Sequence, residues 1–418
     1  MNLDKICEQA KKAQQLSLTV SEGKRVEALQ RISAALMNQE QGILAENRKD
    51  CLQAEQDKLS SSLIDRLYLS SERIAKMAEG VRNIAAQKQV VGCEISREVR
   101  DDGLQVIKER IPIGVIGMVF ESRPNVVIDC ASLAIKSGNG MILKGGKEAY
   151  HSNLKLSQVV CEAVSGVIPE HTIQLLDSKD RSLVKELISR KGDVDLLIPR
   201  GGESLINYVT EHAKVPVIAH YKGVCHLYVD KNAQIDKALA ICENAKLQRP
   251  GVCNALETLL VHESIAALFL GKLLPILNKA ECQVRICRLG ASLLADKPSL
   301  KWALAQDSDW DEEYLDKILS IRVCSDLDDV ISHINLHGSK HTEGIISEDQ
   351  EAIQAFKAKV DASCIVVNAS TRFNDGGELG LGAELGISTS KLHSYGPMGA
   401  EEMTSYRYVV TGDGHTRS

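Results

Sequence analysis

No apolar run in this chain approaches the roughly 20 residues that a membrane-spanning helix needs; the longest are strand-length. Basic residues are not in excess either. Lys and Arg number 50 against 56 Asp and Glu, a net charge of -6, which excludes a broad nucleic-acid footprint. The start, Met1-Asn2-Leu3-Asp4-Lys5, lacks the charged-then-apolar pattern of a signal peptide. The twelve cysteines show no paired-spacing framework and no zinc spacing, so they read as thiols in a reducing cytoplasm. His333, His337 and His341 recur every fourth residue, but Gly338 and Ser339 break that helix, and no metal is expected. Internal repeats and low-complexity segments are absent as well.

What is present is an ordinary globular balance, 44% hydrophobic and 25% charged over 418 residues, enough for two or three domains. Residues 3 to 89 carry apolar positions at helical spacing, as in Val26, Leu29, Ile32, Leu36 and again Ile74, Met77, Val81, Ile84. Asp101-Asp102-Gly103 joins two partly alternating runs and predicts a hairpin, either a plain surface ribbon or one used for subunit pairing. Thr404 to Gly412 is a further strand-like run with Tyr406 and Tyr408. From Ile113 short apolar strands alternate with helices, with Val115–Phe120, Met141–Lys144, Ile173–Leu176, Val194–Ile198, Val215–Ala219 and His226–Val229 as strand candidates. The second half repeats the style, apart from an irregular stretch, Leu289 to Trp310. Such alternation predicts an α/β chain with doubly wound parallel sheets.

One stretch stands out, Gln248-Arg249-Pro250-Gly251-Val252-Cys253-Asn254. It places a thiol in a Pro-Gly turn between a helical run and a strand. A backbone-presented thiol suits a nucleophile, whereas most free cysteines are core residues. Two glycine turns follow strands, Lys144-Gly145-Gly146-Lys147 and Arg200-Gly201-Gly202-Glu203. Each reads as a tight strand–helix turn or as a phosphate cradle of backbone N–H groups. Asn125, before a helix, is either an N-cap or an amide donor to a reacting carbonyl. Asn368, Ser370, Thr371 and Arg372 form an Asx/ST turn or a site for an amino-acid-like ligand.

These residues resemble the γ-glutamyl phosphate reductases, a branch of the aldehyde dehydrogenase superfamily. The resemblance is carried by Pro112–Gly117, Glu121–Asn125, Gly138–Glu148, Leu197–Gly202, Gly223–His226, Gln248–Glu257, Gly338–His341, Val367–Gly377 and Gly396–Gly399, in matching order. It implies an aldehyde dehydrogenase-like fold of two doubly wound domains plus a small β oligomerisation hairpin and arm. Residues 1–92 and 111–247 would bind NADP(H), 93–110 and 400–418 would form the hairpin and arm, and 248–399 would be catalytic. The implied activity is NADPH-dependent reduction of L-glutamate 5-phosphate to the 5-semialdehyde, the second step of proline synthesis from glutamate. A reductase of another acyl phosphate or acyl-CoA is the alternative.

Cys253 would be the nucleophile, and Asn125 with the Cys253 backbone N–H the oxyanion donors. Lys144, Gly145, Gly146, Lys147, Gly201, Gly202 and Glu313 would meet the cofactor. Arg123, Arg249 and Lys340 would meet the substrate phosphate, and Asn368, Ser370, Thr371 and Arg372 its amino-acid end. The superfamily's Glu-Leu-Gly-Gly segment is replaced by His220-Tyr221-Lys222-Gly223, which removes the carboxylate that would activate water against a thioester. A homo-oligomer, and a transient complex with a separate glutamate 5-kinase, are the expected partners.

Overall fold

The computed structural model of the chain describes residues 2–219 and 222–417. These form two compact units. One comprises Met1–Ala219, Gly380–Gly386 and Leu392–Ser418, the other His220–Leu379 and Ile387–Lys391.

The first unit opens with five helices, Leu3–Ser17, Glu22–Asn38, Glu40–Gln56, Ser61–Leu67 and Ser71–Ala86. Side-chain N-caps start four of them: Asn2, Ser21, Ser60 and Ser70 each accept from the N–H three residues on. The hairpin follows as β1 (Glu94–Val99) and β2 (Gln105–Pro112). The C-terminal strand, Thr404–Thr411, pairs antiparallel with β2 in the same chain, giving a three-stranded sheet.

Four parallel strands make the unit's main sheet: β3 (Val115–Phe120), β4 (Gly140–Gly145), β5 (Ile173–Leu175) and β6 (Leu196–Arg200), in spatial order β5-β4-β3-β6. Helices cover both faces, which explains why β3 reads as an unbroken apolar run. Its Ile116, Met118 and Phe120 pack with the helices Glu22–Asn38, Ser71–Ala86 and Val126–Ser137. Val115 and Val119 face Leu3, Cys7 and Leu187 on the other side. Each such buried aliphatic contributes about 1.5–3 kcal/mol. Val215–Ala219 is not a strand. Pro216 has no N–H for a ladder, and the segment makes a single bridge, Val217 to Leu197.

In the second unit seven parallel strands form one sheet. They are β7 (Cys225–Val229), β8 (Leu256–His262), β9 (Gln283–Ile286), β10 (Ala303–Leu304), β11 (Ile318–Cys324), β12 (Thr342–Ile346) and β13 (Cys364–Val367), in order β10-β9-β11-β8-β7-β12-β13. Leu227, Leu259 and Val261 pack against the helices Ile235–Leu247 and Glu263–Lys279, while Tyr228, Leu260 and Ile345 pack against Leu327–His337 and Gln350–Lys359. The unit begins before 248 because β7 is one of its central strands, flanked by β8 and β12. The irregular stretch after Leu289 resolves into a short helix, Arg288–Leu293, the edge strand β10 and a 3-10 turn, Asp307–Trp310. No helix among the described residues is long and apolar enough to cross a membrane.

Asn139 ties the first unit together. Its Oδ1 accepts from the Gly114 N–H at 2.9 Å and its Nδ2 donates to the Met403 carbonyl at 2.8 Å. All of this is buried. Asn139→Ala leaves two buried backbone groups unpartnered, a loss of about 2–4 kcal/mol. Calorimetry should show the midpoint falling by about 2–5 °C; an unmoved midpoint would show that these bonds are dispensable.

Candidate active site

The helix Ile235–Leu247 ends at Gln248, and the chain turns through Pro250 and Gly251 to reach β8. Cys253 sits in that turn, half-buried, at the amino edge of the second unit's sheet. Two neighbouring carbonyls fix the turn. The Cys225 thiol lies 3.1 Å from the Cys253 carbonyl oxygen. The Thr371 hydroxyl donates to the Asn254 carbonyl at 2.7 Å. Asn254, buried, returns a bond from its Nδ2 to the Asn374 carbonyl at 2.9 Å. Gly223 admits the close approach: a Cβ there would stand 2.1 Å from the Cys253 oxygen.

Segment 368–374 reaches this edge by doubling back along β12. Asn368 lies level with Ile345 and Ser347, and Asn374 donates to the Thr342 hydroxyl at 2.8 Å. The segment therefore delivers its predicted ligand groups unequally. The Asn368 amide is engaged at both ends by the Ser347 backbone, at 3.0 and 2.9 Å. Ser370 accepts from the Arg372 N–H at 3.3 Å, a turn-capping contact. Arg372 donates its Nε to Gln248 Oε1 at 2.8 Å. Burial pushes its guanidinium below the ordinary arginine range; the charges of Asp375 and Cys253 oppose that shift and Arg249 adds to it. Lys340 is 3.3 Å from Asp361 at the exposed rim. Glu313 lies in the loop before β11, and its charge helps raise Glu257.

In the first unit the predicted residues gather at the carboxyl ends of β3, β4 and β6. Strand order reverses there, because β4 and β6 flank β3, and such a reversal opens a ligand crevice. Two carboxylates that the sequence reading passed over brace the crevice. Glu121 accepts from the Gly202 N–H at 2.9 Å, and a Cβ on Gly201 would stand 2.5 Å from the same carboxylate. Glu148 accepts from the Ser122 N–H at 2.7 Å, and Gly146 is shaped around it. Lys144 is buried and donates to the carbonyls of Gly145 at 2.9 Å and Ser178 at 3.0 Å. Its burial pushes the ammonium below the ordinary lysine value. Lys147 is exposed. Asn125 makes no side-chain cap; its Nδ2 donates to Asp129 at 2.8 Å. Arg123 is half-buried in the same loop.

The model of the aldehyde dehydrogenase family matches residues 1–284. A γ-glutamyl phosphate reductase of Desulfatibacillum aliphaticivorans is 49% identical over 92% of this chain and 91% of its own. That of Nautilia profundicola is 45% identical over 99% and 100%. The crystal structure of the Thermotoga maritima γ-glutamyl phosphate reductase superposes with a TM-score of 0.94 at 39% identity, each chain fully covered. The chain belongs to the γ-glutamyl phosphate reductase branch of the aldehyde dehydrogenase family. An acetylating aldehyde dehydrogenase of Geobacillus thermoglucosidasius, 18% identical with a TM-score of 0.73, shares the fold.

In this γ-glutamyl phosphate reductase-family chain a buried ion pair underlies the cysteine turn. Lys246, one turn before it, and Glu257, on β8 just after it, are 2.6 Å apart and fully buried. Burial pushes Glu257 up to about 7 against the pull of Lys246. Glu257 also accepts from the Leu315 N–H at 3.3 Å. The pair holds together the two ends of the loop.

Lys246→Met leaves the carboxylate buried alone and should destabilise by about 3–5 kcal/mol at neutral pH. The sign of the pH dependence follows from the raised carboxyl. A folded pKa above the unfolded value means that stability is fullest below the ordinary glutamate range and is lost as pH rises through about 7. The Lys246→Met deficit should therefore be smaller at about pH 5 than at about pH 8, measured by thermal unfolding. A pH-independent deficit would rule out the carboxylate as its source.

Proposed function

We infer that the chain reduces L-glutamate 5-phosphate to L-glutamate 5-semialdehyde and phosphate, the second step of proline synthesis from glutamate, through a thioester on Cys253. The observation that carries this reading is the full-length match to γ-glutamyl phosphate reductases, 45% identity over 99% of the chain, together with a half-buried thiol in a turn pinned from three sides.

The Cys253 thiolate attacks the γ-acyl carbon, forming the C–S bond. Asn125 gives one of its two amide N–H donors to Asp129; its other donor is assigned to the oxyanion, as is the Cys253 N–H. A donor of this kind contributes about 3 kcal/mol. Phosphate departs with the electron pair of the acyl C–O bond; being a good leaving group, it needs no strong general acid. A bound nicotinamide cofactor supplies the hydride that reduces the thioester. Collapse of the thiohemiacetal then releases the aldehyde and restores the thiolate.

Family membership supports a nicotinamide cofactor, and we assign it as NADPH. The crevice residues suit it. Lys144 has three donors and places two on backbone carbonyls, so the third is assigned to the adenosine ribose. Lys147, exposed beside it, is assigned to the 2'-phosphate. The turns Gly145-Gly146 and Gly201-Gly202 give a nucleotide close backbone approach, and Glu313 is assigned to the nicotinamide ribose. Arg123, Arg249 and Lys340 are the proposed phosphate cations. In the 368–372 segment, Asn368 and Thr371 already hold backbone groups. That leaves the Arg372 fork, with Ser370 beside it, to face the substrate's amino-acid end.

The three-stranded sheet exposes Tyr406, Tyr408 and Val410 on one face and Val99 on the other, and this exposed apolar surface supports a homo-oligomer. The acyl phosphate is labile, which supports direct hand-over from a separate glutamate 5-kinase. The twelve unbridged cysteines support a reducing cytoplasm.

The decisive assay runs backwards. Semialdehyde, phosphate and NADP+ should yield NADPH only when all three are present, and Cys253→Ala should lower that rate at least ~10³-fold. NADPH formed without phosphate, or an unimpaired Cys253→Ala enzyme, would overturn the thioester reading. Forward rates with other acyl phosphates should all fall below that with L-glutamate 5-phosphate.

A further inference from the structure

We propose that Cys225 is a positioning residue for the nucleophile: its thiol donates to the carbonyl oxygen of Cys253 and fixes the peptide on which the reactive sulfur is carried. The proposal rests on the reading of Cys253 as the nucleophile.

Three observations converge on this contact. The first is the distance, 3.1 Å from Cys225 Sγ to Cys253 O, short for a thiol donor. The second is Gly223, whose missing side chain is what lets that carbonyl lie against the strand: a Cβ would stand 2.1 Å from the oxygen and 2.8 Å from the Cys253 Cα. The carbonyl is thus clamped between the Gly223 backbone and the Cys225 thiol. The third lies in the sheet. The parallel register of β7 on β8 runs Cys225 to Leu256 and then slips, with His226 opposite Thr258. The extra residue is Glu257 of β8, which has no opposite number on β7; Cys225 stays on the near side of the slip, opposite Leu256, the first residue of β8 after the cysteine turn.

The thiol is equipped to donate. Cys225 is fully buried, which keeps it protonated. Two further polar groups neighbour it: the Thr342 side chain, which hydrogen-bonds with the thiol, and His341 Nδ1, farther off at 3.7 Å and itself 2.7 Å from the Thr342 hydroxyl. With a donor on it, the Cys253 carbonyl presents less negative charge to the thiolate of its own residue. Its peptide plane is also held in one orientation. Loss of the donor therefore affects reactivity as well as shape.

Volume and hydrogen bonding are separated by two variants. Cys225→Val keeps the bulk and removes the donor; Cys225→Ser keeps a donor and reduces the bulk. If Cys225 positions the nucleophile, Cys225→Val should lose at least ~10-fold in kcat with KM for NADPH unchanged, and Cys225→Ser should stay within ~3-fold of the parent. A second readout needs no turnover. Alkylation of Cys253 by iodoacetamide in the unliganded protein, followed by mass spectrometry of its peptide, should slow ~10-fold in Cys225→Val and hold in Cys225→Ser. If Val matches or exceeds Ser in both measurements, the residue is packing alone and the proposal fails. If alkylation follows the donor while Cys253→Ala retains activity, the positioning contact stands and it is the nucleophile assignment that falls.

Discussion

Two consecutive carbonyls, those of Cys253 and Asn254, are held by side chains from far along the sequence, the Cys225 thiol and the Thr371 hydroxyl. A turn made of Pro250 and Gly251 has no ladder of its own, so its shape is inherited from whatever satisfies its backbone. Here the partners come from the start of β7 and from the segment that doubles back after β13. Both are placed by the parallel register of β7 with β8 and β12. The sheet is therefore more than a scaffold under the cysteine. A one-residue slip of β7 would remove the thiol from the Cys253 oxygen and bring a side chain in place of Gly223.

The same strands decide which carboxylates can act near the thiol. Glu257 is committed to Lys246 at 2.6 Å. Glu343 accepts from the His226 N–H at 2.9 Å and sits 2.9 Å from its Nδ1, and burial holds its carboxyl well above the usual carboxylate range. His226 is itself pushed down to about 3 by burial, so the two form a neutral buried couple. In the proposed chemistry neither the Glu257–Lys246 pair nor the Glu343–His226 couple would offer a ready base to activate water against a thioester. This agrees with residues 220–223, which contain no carboxylate. Under the proposed chemistry that is the necessary condition: hydride, not hydroxide, must be the next nucleophile.

Much of this was legible in the sequence, for identifiable reasons. Val115–Phe120 and Val126–Ser137 fall where periodicity puts them, because a strand buried on both faces and a helix buried nearly all round leave an unbroken apolar signal. The failures have equally local causes. β9 is short and carries Gln283 and Arg285 on alternate positions, so it reads as polar loop. Val215–Ala219 has the right residues for a strand, but Pro216 cannot donate to a ladder. At the site, the Pro-Gly turn marked Cys253, since turn chemistry is local. Cys225, Asn254, Asn374 and the bracing carboxylates Glu121 and Glu148 were missed. Their roles exist only as long-range bonds to backbone atoms, and backbone atoms have no sequence. Thr371 looked like a ligand group for the same reason: a hydroxyl in a polar turn does not reveal that a carbonyl already claims it.

The position of Cys253 also carries an electrostatic cost that its neighbours offset. It follows the C-terminus of the helix Ile235–Leu247, the end whose dipole disfavours a negative charge. Arg372 is the compensating group within the turn's reach. Its guanidinium is oriented by Gln248, the residue that caps that same helix, and its charge couples to Cys253. Gln248 thus links the helix end to the cation that counters it. Arg249 adds a second positive charge near Arg372. In the proposed chemistry Arg249 would meet the substrate's phosphate, while Arg372 would face its amino-acid end.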